Sequence, residues 1–149
     1  MPDFLKLHEH YQHQLDNGER AQIKRASESE DLLGVPAFYR LIGSASTVEL
    51  KQLARVAFFL PYIAEHSIKA APLGRQLHNQ KISEKRLFHI IRSSSPNDLI
   101  QLKRVLQQAK LHSINWQTLA ETLFYWNAKN KKQLMQDFYL QPHTDSDKD

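Results

Sequence analysis

The sequence has 149 residues, of which 41% are hydrophobic and 24% charged, a balance that favours a folded domain over a disordered chain. It contains no cysteine, which excludes disulfides, thiolate nucleophiles and cysteine-based metal sites. The formal charge of +4 points only weakly to a polyanionic partner.

No targeting or membrane segment is expected. The first residues lack the basic start and apolar run of a secretory signal. The longest nearly apolar run, residues 56–64, is far shorter than the roughly 20 residues that a membrane helix needs. We therefore expect a soluble protein of the cytoplasm.

The N-terminal elements follow from the helical spacing of apolar residues. Residues 3–15 are predicted to form an amphipathic helix, and residues 16–18 break it. Asn17 is predicted to cap the next helix, residues 19–26, because an asparagine side chain can accept from a free backbone N–H of the first turn. An acidic loop at residues 28–31 follows.

Two further helices are predicted before residue 62. Pro36 suits the first position of a short, mostly buried helix, and Gly43 suits its end. Ser46 or Thr47 is predicted to start a longer helix with an apolar inner stripe. Arg55 is expected on the outer face of that helix.

The most distinctive stretch is a basic helical hairpin, residues 81–110. It carries seven Lys or Arg and two carboxylates, so its net charge of +5 exceeds that of the whole chain. The second helix starts at a proline, with Asp98 as a carboxylate in its first turn. Helical spacing places four basic side chains on one face of the first helix: Lys81, Lys85, His89 and Arg92.

The last part of the chain predicts two more helices, one capped by Asn115 and one around Leu134 and Phe138. No segment alternates at period two. The predicted fold class is therefore all-α, with about eight helices packed as two small helical bundles. The chain, 1–149, is expected to be one subunit with sub-bundles at roughly 3–66 and 72–140, and 141–149 as a loose tail.

Catalytic motifs are not found, and no catalytic residue, metal or cofactor is predicted. The densest group of possible metal ligands is His8, Glu9, His10 and His13. Zinc-binding helices place two histidines at i and i+4, and this group lacks that spacing. A metal-dependent enzyme is one alternative that this group leaves open, and a solvated helix face is the other.

The basic surface suggests contact with a phosphate backbone without sequence readout, because it is extended and lacks paired Asn or Gln side chains that could read bases. A second basic group at Arg20, Lys24 and Arg25 repeats the arrangement. The alternative is a helical assembly protein whose basic face binds acidic protein surfaces. Salt-dependent binding of single-stranded nucleic acid would separate the two.

Several short motifs together resemble the CasB family, the small subunit of the type I-E CRISPR surveillance complex Cascade. Each motif is modest alone, but they occur in the same order over about residues 11–140. The motifs lie at residues 15–25, 36–41, 53–58, 73–77, 82–92, 98–104, 115–116 and 125–126.

The resemblance implies an all-helical, non-catalytic subunit acting in antiviral defence. Two copies would lie in the complex, touching the backbone subunits and the large subunit. There the subunit would bind crRNA and the target and displaced DNA strands, and it would stabilise the R-loop.

The resemblance also implies which side chains bind nucleic acid, and the hairpin pattern adds Lys81 to them. Where the family usually has arginine, this chain has Lys24, Lys85 and Lys103, so charge is kept but forked phosphate contacts are not. Arg40 and Arg75 could each be structural or a contact. The matched positions are Lys24, Arg25, Arg40, Arg75, Lys85, Arg86, Arg92, Lys103 and Arg104.

Overall fold

The computed structural model describes residues 2–43 and 49–140. Across these residues the chain forms nine α-helices and no β-strand, with one isolated bridge between His66 and Ile114. The predicted all-α class is confirmed. The helices are α1 (Phe4–Glu9), α2 (Asn17–Lys24), α3 (Pro36–Ile42), α4 (Leu50–Phe59), α5 (Leu73–Asn79), α6 (Glu84–Arg92), α7 (Asn97–Ala109), α8 (Trp116–Phe124) and α9 (Ala128–Tyr139).

The first helix lies where the sequence predicts it, but the break predicted at residues 16–18 is shorter, because α2 already begins at Asn17. α1 continues directly into a π-helical turn, His10–Gln14. The cap of α2 is Asp16 rather than Asn17: its Oδ1 accepts from the backbone N–H of Glu19 at 2.8 Å, and the Glu19 carboxylate accepts from the backbone N–H of Asp16 at 3.0 Å. These two reciprocal hydrogen bonds give acceptors to two backbone N–H groups that have no partner within the helix.

The bounds of α3 agree with the prediction, whereas the environment of Arg55 on α4 differs from it. Pro36 begins α3, and Gly43 ends it at a positive φ of 62°. The predicted start of the next helix, Ser46 or Thr47, lies outside the described residues. The prediction that Arg55 is on an outer face was wrong, because this side chain is half-buried and its guanidinium donates to the carbonyl oxygens of Leu123 and Phe124 at the end of α8.

The basic hairpin is confirmed as two packed helices, α6 and α7. Ser83 caps α6 by accepting from the backbone N–H of Arg86 at 3.2 Å. Leu87 and Ile90 are fully buried and fix which face of α6 points to solvent. In the same half of the chain, α5 packs closely on α9 at Gly74.

The core runs between the two halves of the chain. α8 packs against both α1 and α4, and the indole N–H of Trp116 donates to the carbonyl oxygen of Phe4 at 2.8 Å. Burying a large apolar side chain of this kind contributes about 1.5–3 kcal/mol. The division into sub-bundles at 3–66 and 72–140 stays a prediction, and the predicted loose tail, 141–149, lies outside the described residues. No described helix is long and apolar enough to cross a membrane.

Candidate nucleic-acid interface

Helix α6 presents three of the predicted cations. Lys85 and Arg92 are exposed, and Arg86 is half-buried. Because seven residues separate Lys85 from Arg92, the two side chains lie on the same side of the helix. The guanidinium carbon of Arg92 is 5.1 Å from the ring centroid of Phe88, a cation–π contact that orients it.

Lys81 is exposed but does not belong to this helix face, so its predicted alignment with Lys85 and Arg92 was wrong. It precedes the cap of α6 and has a positive φ of 63°. That backbone conformation takes its side chain out of the helical register. It remains an exposed cation at the start of the hairpin, just before α6.

Helix α7 contributes Lys103 and Arg104. Arg104 is exposed, whereas the ammonium of Lys103 lies 4.8 Å from the ring centroid of Phe58 and 5.9 Å from that of Tyr62. Desolvation by these surroundings, together with the neighbouring charge of Arg104, lowers the pKa of Lys103 below its ordinary value.

The second basic group lies at the C-terminal end of α2. Lys24 and Arg25 are exposed there, where the helix dipole favours cations. Arg20, one turn earlier, has a structural role: it donates to the backbone carbonyls of Gln12, at 3.2 Å, and of Leu15. Its guanidinium therefore caps the end of the π-helical turn.

Arg40 and Arg75, the two ambiguous arginines, differ in environment. The Arg40 side chain is 59% exposed and pairs with Glu19 at 2.9 Å, so it is a surface residue with a carboxylate partner. Arg75 is only 4% exposed; it donates to the carbonyl of Leu140 and lies 3.2 Å from Nδ1 of His78. Arg75 is thus a buried side chain that holds α5 to the end of α9.

The two carboxylates within the basic hairpin bind groups outside it, on α9 and at Trp126. Asp98 is buried, with its Oδ2 2.9 Å from both the Lys131 ammonium and the indole nitrogen of Trp126. Glu84 accepts a hydrogen bond of 2.6 Å from the Tyr139 hydroxyl. Of the predicted binding residues, eight form no ion pair with any described residue: Lys24, Arg25, Lys81, Lys85, Arg86, Arg92, Lys103 and Arg104.

A short 3₁₀ turn, Leu60–Tyr62, lies between the helices that carry the two basic groups, and sequence reasoning did not predict this arrangement. The turn packs against both α2 and α7. Tyr62 lies beside Lys103, and together with Lys24 it also lines a groove. The only local signal is an aromatic residue after Pro61, which does not reveal that contact with α7.

The histidines of the first helix do not assemble a metal site in the structure. His8 is half-buried, with Nε2 3.3 Å from the carbonyl oxygen of Ile63. Burial lowers the pKa of His8 below its ordinary value. In the part of the chain that the structure describes, no three His, Asp or Glu side chains are grouped to hold a metal ion.

Three comparisons with known proteins, by family model, by sequence and by structure, all indicate the same family. The family model described as CRISPR-associated protein Cse2 matches residues 19–139. The chain is 36% identical to the CRISPR system Cascade subunit CasB of Escherichia coli (strain K12), over 93% of both chains. It also matches a chain in the crystal structure of E. coli Cascade bound to a PAM-containing dsDNA target, with a TM-score of 0.84, 36% identity, and coverage of 93% of this chain and 97% of that one.

The match extends through every described helix from α3 to α9, and it includes both basic groups. This agreement of sequence and fold confirms the resemblance that the short motifs indicated. The chain belongs to the CRISPR-associated Cse2 family, the CasB family that those motifs predict.

Proposed function

We propose that this chain is the non-catalytic small subunit of a CRISPR Cascade complex. In this role it binds the guide RNA–target DNA duplex and the displaced DNA strand through their phosphates, and so stabilises the R-loop. The identity to the E. coli Cascade subunit and the match to a chain of DNA-bound Cascade support the assignment. Its protein partners would be the backbone subunits, the large subunit and a second copy of itself.

The observation that carries the proposal is the set of eight cations without carboxylate partners. Cations on a folded domain that form no internal ion pair can replace counterions along a phosphate backbone, and the release of those ions drives binding. Several carboxylates are bound elsewhere: Asp16 caps α2, Glu84 accepts from Tyr139, and Asp98 forms its buried pair with Lys131. Positive charge is therefore left at the surface of α2, α6 and α7.

The residue types favour backbone contact over base readout. Three of the predicted contacts, Lys24, Lys85 and Lys103, carry lysine rather than arginine. A lysine ammonium is a compact point charge, whereas an arginine guanidinium is a planar fork. Exchanging a DNA duplex for an RNA–DNA duplex is nearly balanced in free energy. A few phosphate contacts can consequently decide whether the opened state persists.

The proposal is tested in a reconstituted complex carrying Lys85→Gln, Arg86→Gln and Arg92→Gln in this subunit. We expect normal assembly and a lower yield of opened target strand, measured by permanganate reactivity of unpaired thymines. If opening were unchanged, these hairpin side chains would not be the contacts. If the variant instead failed to join the complex, the basic face would be bound to acidic protein surfaces.

A further inference from the structure

An open groove of about 460 Å³ lies between α2 and the Leu60–Tyr62 turn. Its volume is within the range of small-molecule binding sites, about 300–1,000 Å³. Tyr11, Pro61 and Tyr62 contribute apolar and aromatic surface to it, while Arg20 and Lys24 contribute positive charge. The groove thus combines the two kinds of surface that single-stranded nucleic acid uses, a ring to stack on and cations for the backbone.

Charge around the groove is complementary to a phosphate. None of the described residues that line it is an aspartate or a glutamate. Lys24 is exposed and forms no ion pair with a described residue, and the ammonium of Lys103 is 5.9 Å from the Tyr62 ring centroid. Cations therefore flank the aromatic ring, on α2 and on α7.

The side-chain amides of Gln12 and Asn17, which line the groove, each form a hydrogen bond through only one of their two polar atoms. Gln12 donates through Nε2 to the carbonyl oxygen of Ile63 at 3.1 Å, and Oδ1 of Asn17 accepts from Arg20. The opposite atoms, Oε1 of Gln12 and Nδ2 of Asn17, have no partner among the described residues. One acceptor and one donor are thus left for the polar edge of a base, the groups by which unstacked bases are held.

We propose that this groove takes one unpaired base of a single strand, with Tyr62 as the stacking surface and Lys24 and Lys103 at the adjoining phosphates. This inference rests on the proposed function and adds a contact to it. Stacking is tolerant of sequence because every base has a π face, so the groove would hold a strand without selecting its sequence. DNA and RNA strands share this chemistry.

The test measures fluorescence anisotropy of the full chain with three probes of equal length: a thymine homopolymer of DNA, a uracil homopolymer of RNA, and an abasic phosphodiester strand. We expect the protein to bind at least one base-bearing probe about fivefold or more tightly than the abasic strand. Tyr62→Ala should abolish that preference and leave the affinity for the abasic strand unchanged. Tyr62→Phe should retain it.

A second variant guards against a folding defect, because Tyr62 is half-buried. Tyr62→Leu keeps apolar bulk without the π face and should lose the preference while keeping the unfolding temperature near that of the original chain. Equal binding of base-bearing and abasic probes by the original chain would refute the proposal that the groove binds a base, and it would leave the proposed function intact. Failure to bind any probe at low salt would overturn both.

Discussion

The hairpin assignment predicts a change in the salt dependence of single-strand binding. Each phosphate neutralised on a single strand contributes about 0.7 to the slope of log affinity against log salt. If a strand contacts all eight of the predicted unpaired cations and no others, that slope is about 5–6. Replacing Lys85, Arg86 and Arg92 by glutamine removes three of them and should lower the slope by about 2.

The corresponding loss of affinity is measurable. Between 50 and 200 mM salt, a slope of about 5–6 means a loss of about three orders of magnitude, and a slope of about 3–4 means about two. The assay is anisotropy titration of a single-stranded probe at four or five salt concentrations. The glutamine variant should also bind more weakly at the lowest salt, since counterion release contributes less.

A matched control separates local contact from net charge. Lys6, Lys51 and Lys69 are exposed and lie outside the predicted interface, so their triple change to glutamine removes the same charge. We expect the slope of this control to stay close to that of the original chain. If both triple variants lowered the slope equally, the positive charge would act as a whole and the assignment to α6 would be refuted.

Three further predictions concern stability and pH. Lys131→Met should lower the free energy of unfolding by about 3–5 kcal/mol in urea titration, because it leaves the carboxylate of Asp98, 3% exposed, without its cation. Gly74→Ala should lower the unfolding temperature, because a Cβ there would collide with the backbone carbonyl of Leu134 in the facing helix. The free energy of unfolding should also fall as pH drops below 6.5, because burial lowers the pKa of His8 and the unfolded state takes the proton first.

Each of these has its own control. Lys132 is exposed next to Lys131, and Lys132→Met should change stability by no more than about 0.5 kcal/mol. Gly34→Ala meets no atom within 4 Å, so an equal loss in both glycine variants would contradict the close approach of α5 and α9. For His8, the difference between the original chain and His8→Gln isolates its contribution, and identical pH profiles would contradict the burial argument.

Local patterns predicted most of the helices. Apolar spacing depends on residues within one or two turns, and caps such as Asn115 and end signals such as Gly43 act within a few residues. These interactions are present in the sequence before any tertiary contact forms. The hairpin, its apolar face and its charge were consequently predictable. The cap predicted at Asn17 and the helix start predicted at the proline of the hairpin each missed by a single residue, because α2 is capped by Asp16 and α7 begins at Asn97.

Exposure of charged residues was less predictable. Arg55 donates to the carbonyls of Leu123 and Phe124, 68 and 69 positions away, at 2.8 and 2.6 Å. Asp98 lies in the first turn of α7 as predicted, but it is buried and pairs with Lys131 of α9, which helical position does not reveal. Helical position alone cannot distinguish a solvent-facing charge from one covered by a distant element.

The sequence by itself determined the helical class, the family and the location of the positive charge, because amphipathic spacing, motifs and composition are properties of the chain alone. Only the tertiary structure decided which cations remain without partners, and it removed Arg75 from the surface. It also brought Tyr62 between the helices of Lys24 and Lys103, since the turn that carries it packs on both. Contacts between residues far apart in sequence depend on how the helices pack, and no local pattern encodes them.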